Sequence, residues 1–416
     1  MSNTIQVDLA ACPSDYTAKI GPNHPALKEP VQFTFKLHGE KIVDVDFEPG
    51  QAHRGIEWMG MRRNPIQIIY LAERICGICG VTHSFAFCRA MEQVLGLQVP
   101  PRAHYVRTIV AELERLHSHL LWAGVAAHEL GFDSLFFLTW QIREKVMDLL
   151  ELITGNRVNY GIMQVGGVNR DVTDEQIPVI REALKYFEEN LDKLKMLFLE
   201  DTTIQMRCRD CGVLSRKDAL ELCPVGPTAR ASGINKDVRQ DHPYGAYADM
   251  DIKAVLPDEL TGEIRGDVYD RIVVRVLEIP QSLEIIRFCL DNMPDGALLA
   301  EPKIAKLLNM MKKVKGEGFG QHEAPRGEAT HYVRMDAAEA PASWKVKASS
   351  YSNYMSWIPM LKGEQIADIP IIVASIDPCI SCTDRVAVVN QGSARVYTKQ
   401  DLHRMSVEKT RRMQRG

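Results

Sequence analysis

Between Val31 and Phe47 apolar side chains fall on every second position: Val31, Phe33, Phe35 and Leu37, then Val43, Val45 and Phe47. A period of two that breaks at Gly39 predicts a β-hairpin over 31–47 with one buried face. Further on the period lengthens to that of a helix. Val106, Ile109, Val110, Leu113, Leu116 and Leu120 share one face, and Leu138, Ile142, Val146, Leu149 and Ile153 share another before a stop at Gly155. A third helix is expected to start at capping residues Thr173 and Asp174 and to turn Ile177, Ile180, Leu184, Phe187, Leu191 and Leu194 inward. A fourth run, from Asp267 to Pro294, resumes its periodicity after Pro280, so a kink is expected there rather than an end. From about residue 326 strand-like pieces return in HYVR, SWKVK and DIPIIVASI.

This order predicts an α-rich (α+β) chain in which a central bundle of long helices, at about 84–300, is flanked by small β elements from both chain ends. Residues 1–385 read as one domain, its C-terminal β segment at about 326–385. Residues 386–416 read as a basic C-terminal extension. With 416 residues, 45% hydrophobic and 25% charged, the chain can bury a substantial core. A formal net charge of -4 offers no broad positive field for nucleic acid. No secretory pattern opens the chain and no apolar stretch approaches the roughly 20 residues that span a bilayer, so a cytoplasmic chain able to dock on a membrane partner is expected.

The cysteines change the picture. Four of the ten form two CxxC pairs, Cys76/Cys79 and Cys379/Cys382, about 300 positions apart. The first pair is expected to precede a helix starting near Ser84, and the second to follow an apolar strand, with Pro378 fixing the backbone at its entry. A CxxC turn lets two thiolates chelate one metal, and a nearby helix N-terminus favours the thiolate. Two such turns suit a soft ion. On spacing alone a structural zinc site or an iron–sulfur cluster stays open, although zinc pairs are usually roughly 15–20 residues apart. Cys208 and Cys211 form a third CxxC with Cys223 behind it; a second metal site is the alternative here, but no fourth ligand is evident nearby and buried thiols acting as small hydrophobes are expected. Cys12, Cys88 and Cys289 have no partner spacing.

RICGICGVTH at 74–83 together with DPCISC at 377–382 resembles the paired signature of the large subunit of nickel-iron hydrogenases. HRGIE at 53–57 resembles the RGxE motif of that family, and EAPRG at 323–327 the segment whose arginine overhangs its metals. GPNHP, ELERLHSHLL, ITGNRVNYGIMQVGGV, PVGPTARASG and GDVYDR are similar to the quinone-facing subunit of respiratory complex I. Both sets of marks together resemble the membrane-bound, energy-converting hydrogenases.

The resemblance implies that Cys76 and Cys379 are terminal nickel ligands, and that Cys79 and Cys382 bridge nickel to an iron carrying carbon monoxide and cyanide. Glu57 becomes a proton-relay glutamate, Arg326 a cation above the open metal position oriented by Asp377, and His83 a donor to a cysteine sulfur. Each has a plainer alternative: Glu57 as a surface carboxylate, Arg326 paired with Glu323 or Asp336, His83 as a helix cap, Asp377 as a turn residue. His117, His119 and His128 would belong to an interface or proton route, and His24 resembles a quinone-site residue. Arg385 stands where many hydrogenases have histidine, which weakens the expectation of magnesium. The extension would be cut after Arg385 by a maturation endopeptidase, the alternative being a retained amphipathic helix over about 399–413. The activity implied is reversible interconversion of H2 with protons and electrons, evolving H2 from ferredoxin electrons coupled to ion translocation. The implied partners are an iron–sulfur small subunit, ferredoxin and membrane-embedded ion-translocating subunits on the cytoplasmic side of the membrane. A metal-free complex I-like subunit, a sulfur-reducing relative and a zinc-stabilised scaffold are the alternatives; retention of all four cysteines weighs against the first two, and the gap of about 300 positions between the pairs weighs against the third.

Overall fold

A computed structural model describes residues 15–383, 389–390, 393–394 and 399–413. The expected hairpin forms as β2 (Gln32–His38) and β3 (Lys41–Glu48), turning at Gly39 with φ 60°. A further strand, β1 (Asp15–Ile20), pairs antiparallel with β2. A register shift between Lys36 and Leu37 puts Leu37 opposite Ile42. That bulge moves the phase of β3, so Ile42 and Val45 are buried while Val43, expected inward, is exposed.

The helices follow: α1 (Ile56–Gly60), α2 (Pro65–Glu73), α3 (Gly80–Leu95), α4 (Pro101–Glu129), α5 (Asp133–Thr154) and α6 (Gln176–Lys195). α3 begins directly after Cys79, not near Ser84. α4 is buried on nearly all sides, which places it at the centre of the bundle. α5 stops where expected, at Gly155 in the left-handed conformation. α6 turns Ile180, Leu184, Phe187, Leu191 and Leu194 inward, but Thr173 and Asp174 do not cap it. Instead the Gln176 side chain accepts from the Thr173 N–H while the Thr173 carbonyl accepts from Gln176. The helix Val268–Asn292 runs through Pro280, and Asp267 caps it by accepting from Asp270 N.

HYVR and SWKVK lie in an antiparallel sheet of Lys315–Ala324, Gly327–Asp336 and Ser343–Lys347. The first of these strands carries no apolar alternation, because glycine takes the inward positions. A Cβ at Gly318 would sit 2.3 Å from the Ala90 carbonyl and one at Gly320 1.9 Å from that of Ala86, so the strand lies directly on the α3 backbone. DIPIIVASI is a helix, Ile369–Ser375, not the strand expected. Its continuous apolar run is buried on all sides and cannot distinguish the two states, whereas Pro370 in the first turn suits a helix.

One contiguous core runs from Val31, just before β2, to Cys382. No helix among the described residues is long and apolar enough to cross a membrane. The tail does hold a helix, Lys399–Met413; the expected cleavage point at Arg385, and with it the magnesium question, lies outside the described residues, as does Cys12.

Candidate metal centre

The loop from α2 to α3 carries Cys76 and Cys79, and the segment after the helix Ile369–Ser375 carries Cys379 and Cys382. Asp377 turns the chain between that helix and Cys379 in the left-handed region, φ 54°, a strained conformation that aspartate tolerates better than most residues. Arg54 joins the two loops. Its guanidinium donates to the carbonyls of Arg74 at 2.8 Å and Ile75 at 2.6 Å on one side and of Ser381 at 3.1 Å on the other. Glu29 fastens the second loop from outside by accepting from Ser381 N at 3.0 Å and from the Ser381 hydroxyl. Ser350 Oγ accepts from Cys379 N at 3.1 Å, and Tyr354 OH donates to the Cys379 carbonyl at 3.0 Å.

So held, the four sulfurs lie within 4.8 Å of one another and all four residues are buried. Cys76 and Cys379 are 3.1 Å apart and Cys79 and Cys382 4.0 Å. Metal–thiolate bonds of about 2.3 Å place two sulfurs on one ion at such spacings. Without a cation four thiols this close cannot all ionise. Burial pushes Cys382 well above its usual range, while the hydrogen bond from Cys379 pulls Cys76 well below. The Cys79 carbonyl opens α3, so the positive end of that helix faces the centre.

Arg326 forms the turn of the glycine-rich hairpin. Its Nε donates to the Asp377 carbonyl at 2.7 Å and its Nη2 lies 3.0 Å from the Asp377 carboxylate. Burial raises Asp377, but Arg326, Lys28 and Arg275 outweigh it and leave the carboxylate below its usual pKa. Arg326 Nη1 is buried without a protein partner and lines a cleft shared with Cys79, Cys379, Cys382 and His83. Arg326 therefore pairs with Asp377 rather than Glu323 or Asp336.

His83 is at the same cleft, but its Nδ1 faces His331 Nε2 at 3.1 Å rather than a cysteine sulfur. The hydrogen bond expected of it is not among those of the described residues, because the sheet brings His331 closer. Burial lowers the His83 pKa to about 4, so the ring is neutral near pH 7. Glu57, on α1, accepts from Val346 N at 3.0 Å and from Lys345 Nζ at 3.1 Å. It lines a second, more open cleft with Arg54, Ser381 and Cys382.

Sequence reading missed several neighbours. Arg54 stood inside a motif but was given no task, and Glu29 carried no signal. Glu114 accepts from Val81 N at 2.6 Å and from Thr82 N and Oγ at 2.9 and 2.7 Å, fastening α4 to the start of α3. The histidines of α4 diverge: His119 bonds Glu278 at 2.7 Å inside, His117 accepts from Arg143 at 3.0 Å, and His128 meets Asp133 at the surface. His24 is exposed. Cys208 and Cys211 are buried as expected of core thiols, whereas Cys223, expected buried with them, is exposed; Cys88 and Cys289 are buried.

A buried four-thiol centre under an arginine, set between the two ends of an α+β chain, is an arrangement able to hold a metal ion. The profile described as respiratory-chain NADH dehydrogenase, 49 Kd subunit, matches residues 129–385, and that described as nickel-dependent hydrogenase matches 54–123. The chain is 48% identical to the membrane-bound hydrogenase subunit alpha of Pyrococcus furiosus, over 95% of this chain and 94% of that one. It is 39% identical to the carbon monoxide-induced hydrogenase of Rhodospirillum rubrum, over 89% of this chain and all of that one. Among solved structures, the membrane-bound sulfane sulfur reductase, an archaeal respiratory membrane complex, superposes with a TM-score of 0.83 at 30% identity, covering 89% of this chain and 99% of that one. The chain belongs to the family of oxidoreductase subunits that unites the large subunits of membrane-bound nickel-dependent hydrogenases with the 49 kDa subunit of complex I.

Proposed function

We propose that this chain is the catalytic large subunit of a membrane-bound nickel-iron hydrogenase, with residues 1–385 as one domain of the large-subunit fold. The observation that carries the reading is the convergence of Cys76, Cys79, Cys379 and Cys382 beneath the unpartnered Nη1 of Arg326. The donor set fits the group the family implies: Cys76 and Cys379 would hold nickel, and Cys79 and Cys382 would bridge it to an iron with carbon monoxide and cyanide. That group supplies the electron acceptor and Lewis acid for heterolytic H2 chemistry.

The chain supplies the rest. Glu57 takes up a proton at its carboxylate from the cleft that Cys382 lines and passes it outward past Lys345, whose side chain is 60% exposed. Arg326, fixed by Asp377, keeps a positive charge at the cleft and leaves the two N–H groups of Nη1 for whatever occupies it. Neutral His83 closes the far wall. Electrons must leave through an iron–sulfur small subunit, because the other cysteines form no four-thiol cluster among the described residues. Ferredoxin as donor, membrane-embedded ion-translocating subunits on the cytoplasmic side, and removal of the tail after Arg385 by a maturation endopeptidase complete the proposal.

The test is metal analysis and infrared spectroscopy of the purified complex. Nickel plus iron with carbonyl and cyanide bands is the expected result; zinc alone, or no metal, overturns the reading. Glu57→Gln should lower H2 turnover by roughly 10²-fold or more while leaving those bands in place, and unchanged turnover removes Glu57 from the proton path. The sulfane sulfur reductase gives a second reading a specific foothold through its fold. Reduction of sulfane sulfur without H2 evolution would favour it.

A further inference from the structure

Far from the four-cysteine centre along the chain, Cys211 is 7% exposed and its Sγ makes no hydrogen bond among the described residues. The fold carries Glu364 and Asp368 to it from some 150 positions away, and one ligand atom from each of the three lies within 4.8 Å of the other two. Each carboxylate has one other polar partner among the described residues. Asp368 immediately precedes the helix Ile369–Ser375, the usual place for a capping aspartate, yet its side chain does not cap that helix. It turns instead toward Cys211 and toward Arg207, 3.4 Å away. Glu364 uses Oε1 to accept from Gly212 N at 2.8 Å, which fixes the carboxylate against the Cys211 loop. Burial, then the nearby charges of Asp368 and Glu364, push the Cys211 thiol up to about 12. A buried thiol left unpartnered between two carboxylates is an arrangement that a cation resolves.

We propose that Cys211, Glu364 and Asp368 form a second cation site, taking a borderline divalent ion such as zinc with water as the fourth ligand. One thiolate and two carboxylates match that class of ion better than magnesium or calcium, which favour oxygen throughout. The charges close: three anionic ligands face the divalent ion and the Arg207 guanidinium. Bound there, the ion clasps the loop after the helix Thr202–Cys208 to the segment that leads, through the helix Ile369–Ser375, to Asp377 and Cys379. It would brace one arm of the catalytic centre from behind.

The test uses the assembled, nickel-loaded complex, in which the four-cysteine centre is filled. Incubated with zinc chloride and desalted, the parent complex should retain one more zinc per chain than Cys211→Ser or Asp368→Asn, while Cys223→Ser, altering an exposed thiol, should match the parent. Cobalt(II) in place of zinc should give a thiolate-to-cobalt charge-transfer band in the parent that Cys211→Ser lacks. No difference in zinc between parent and Cys211→Ser overturns the proposal. Should that variant fail to assemble, the cobalt spectrum of the parent alone decides, and absence of the thiolate band overturns it equally.

Discussion

Arg326 spends its Nε and Nη2 on Asp377 and keeps Nη1 for the cleft. Lysine cannot reproduce that division, since an ammonium is a point charge without a planar fork. Arg326→Lys should therefore keep nickel content and infrared bands but lower turnover at least about tenfold, or about 1.4 kcal/mol; parental turnover would show that the fork is dispensable. Several buried histidines set a pH dependence. Burial holds His83 near 4 and His117 near 3, against about 6.5 in an unfolded chain. Their folded pKa values are depressed, so the unfolded state binds the extra proton, and stability present above pH 6.5 is lost as pH falls toward 4. Each such histidine contributes up to about 1.4 kcal/mol per pH unit in that window. Urea midpoints between pH 7 and 5 should fall, and His83→Gln should flatten the fall; an unchanged slope excludes His83 as a contributor. At this scale the sequence was legible where motifs carried the residues: the four cysteines and the Arg326–Asp377 pair lie together as the resemblance implied. His83's partner was not legible, because which imidazole reaches it depends on strand register, and His331 arrives from 248 positions away.

At the scale of elements, periodicity predicted what amphipathicity governs. The hairpin, α5 and α6 each bury one apolar face and form close to where expected, and α4 keeps its helical spacing although it is buried on nearly all sides. It failed where no face exists: the run Ile369–Ser375 is buried all round, and the strand Lys315–Ala324 hides glycine instead of apolar side chains. That strand positions Arg326 through its turn, so its contact with α3 bears on the site. Gly320→Ala would force a Cβ to 1.9 Å from a backbone carbonyl that cannot rotate away. We expect a loss of about 3 kcal/mol or more, seen as a lowered urea midpoint; a parental midpoint would mean that strand and helix separate freely. Arg54 acts between elements, tying both cysteine loops by three carbonyls. Arg54→Met should preserve circular dichroism while reducing nickel per chain, and full nickel occupancy would show that the loops find each other unaided.

Across the whole molecule, two of the segments similar to complex I, ELERLHSHLL and PVGPTARASG, meet in a buried ionic network. Glu278, in the helix Val268–Asn292, accepts from Arg230 at 2.6 Å and faces His119 at 2.7 Å, with Arg115 3.8 Å away. Arg230 also bonds Glu323 of the EAPRG hairpin at 2.9 Å. Glu112 accepts from Arg239, Tyr247 and Ser282, and Arg115 donates to the carbonyls of Glu323 and Ala324. The network thus joins α4, the PVGPTARASG loop and the hairpin that carries Arg326. Composition could not disclose it, since a count of charges says nothing about which are buried in pairs. Buried ion pairs are weak evidence for net stability, because desolvation offsets attraction, yet removing one partner strands the other's charge. Glu278→Gln alone leaves Arg230 short of an anion and should destabilise the protein by about 3 kcal/mol or more. Arg230→Gln alone leaves Glu278 and Glu323 without their common cation, with a loss of similar size. The double replacement strands less charge than either result implies, so its loss should fall short of the sum of the singles by more than about 1 kcal/mol. Urea unfolding of the four proteins measures that coupling. Simple additivity would mean that the pair is close in space without being linked in energy, and that the hairpin is held over the cysteines by packing alone.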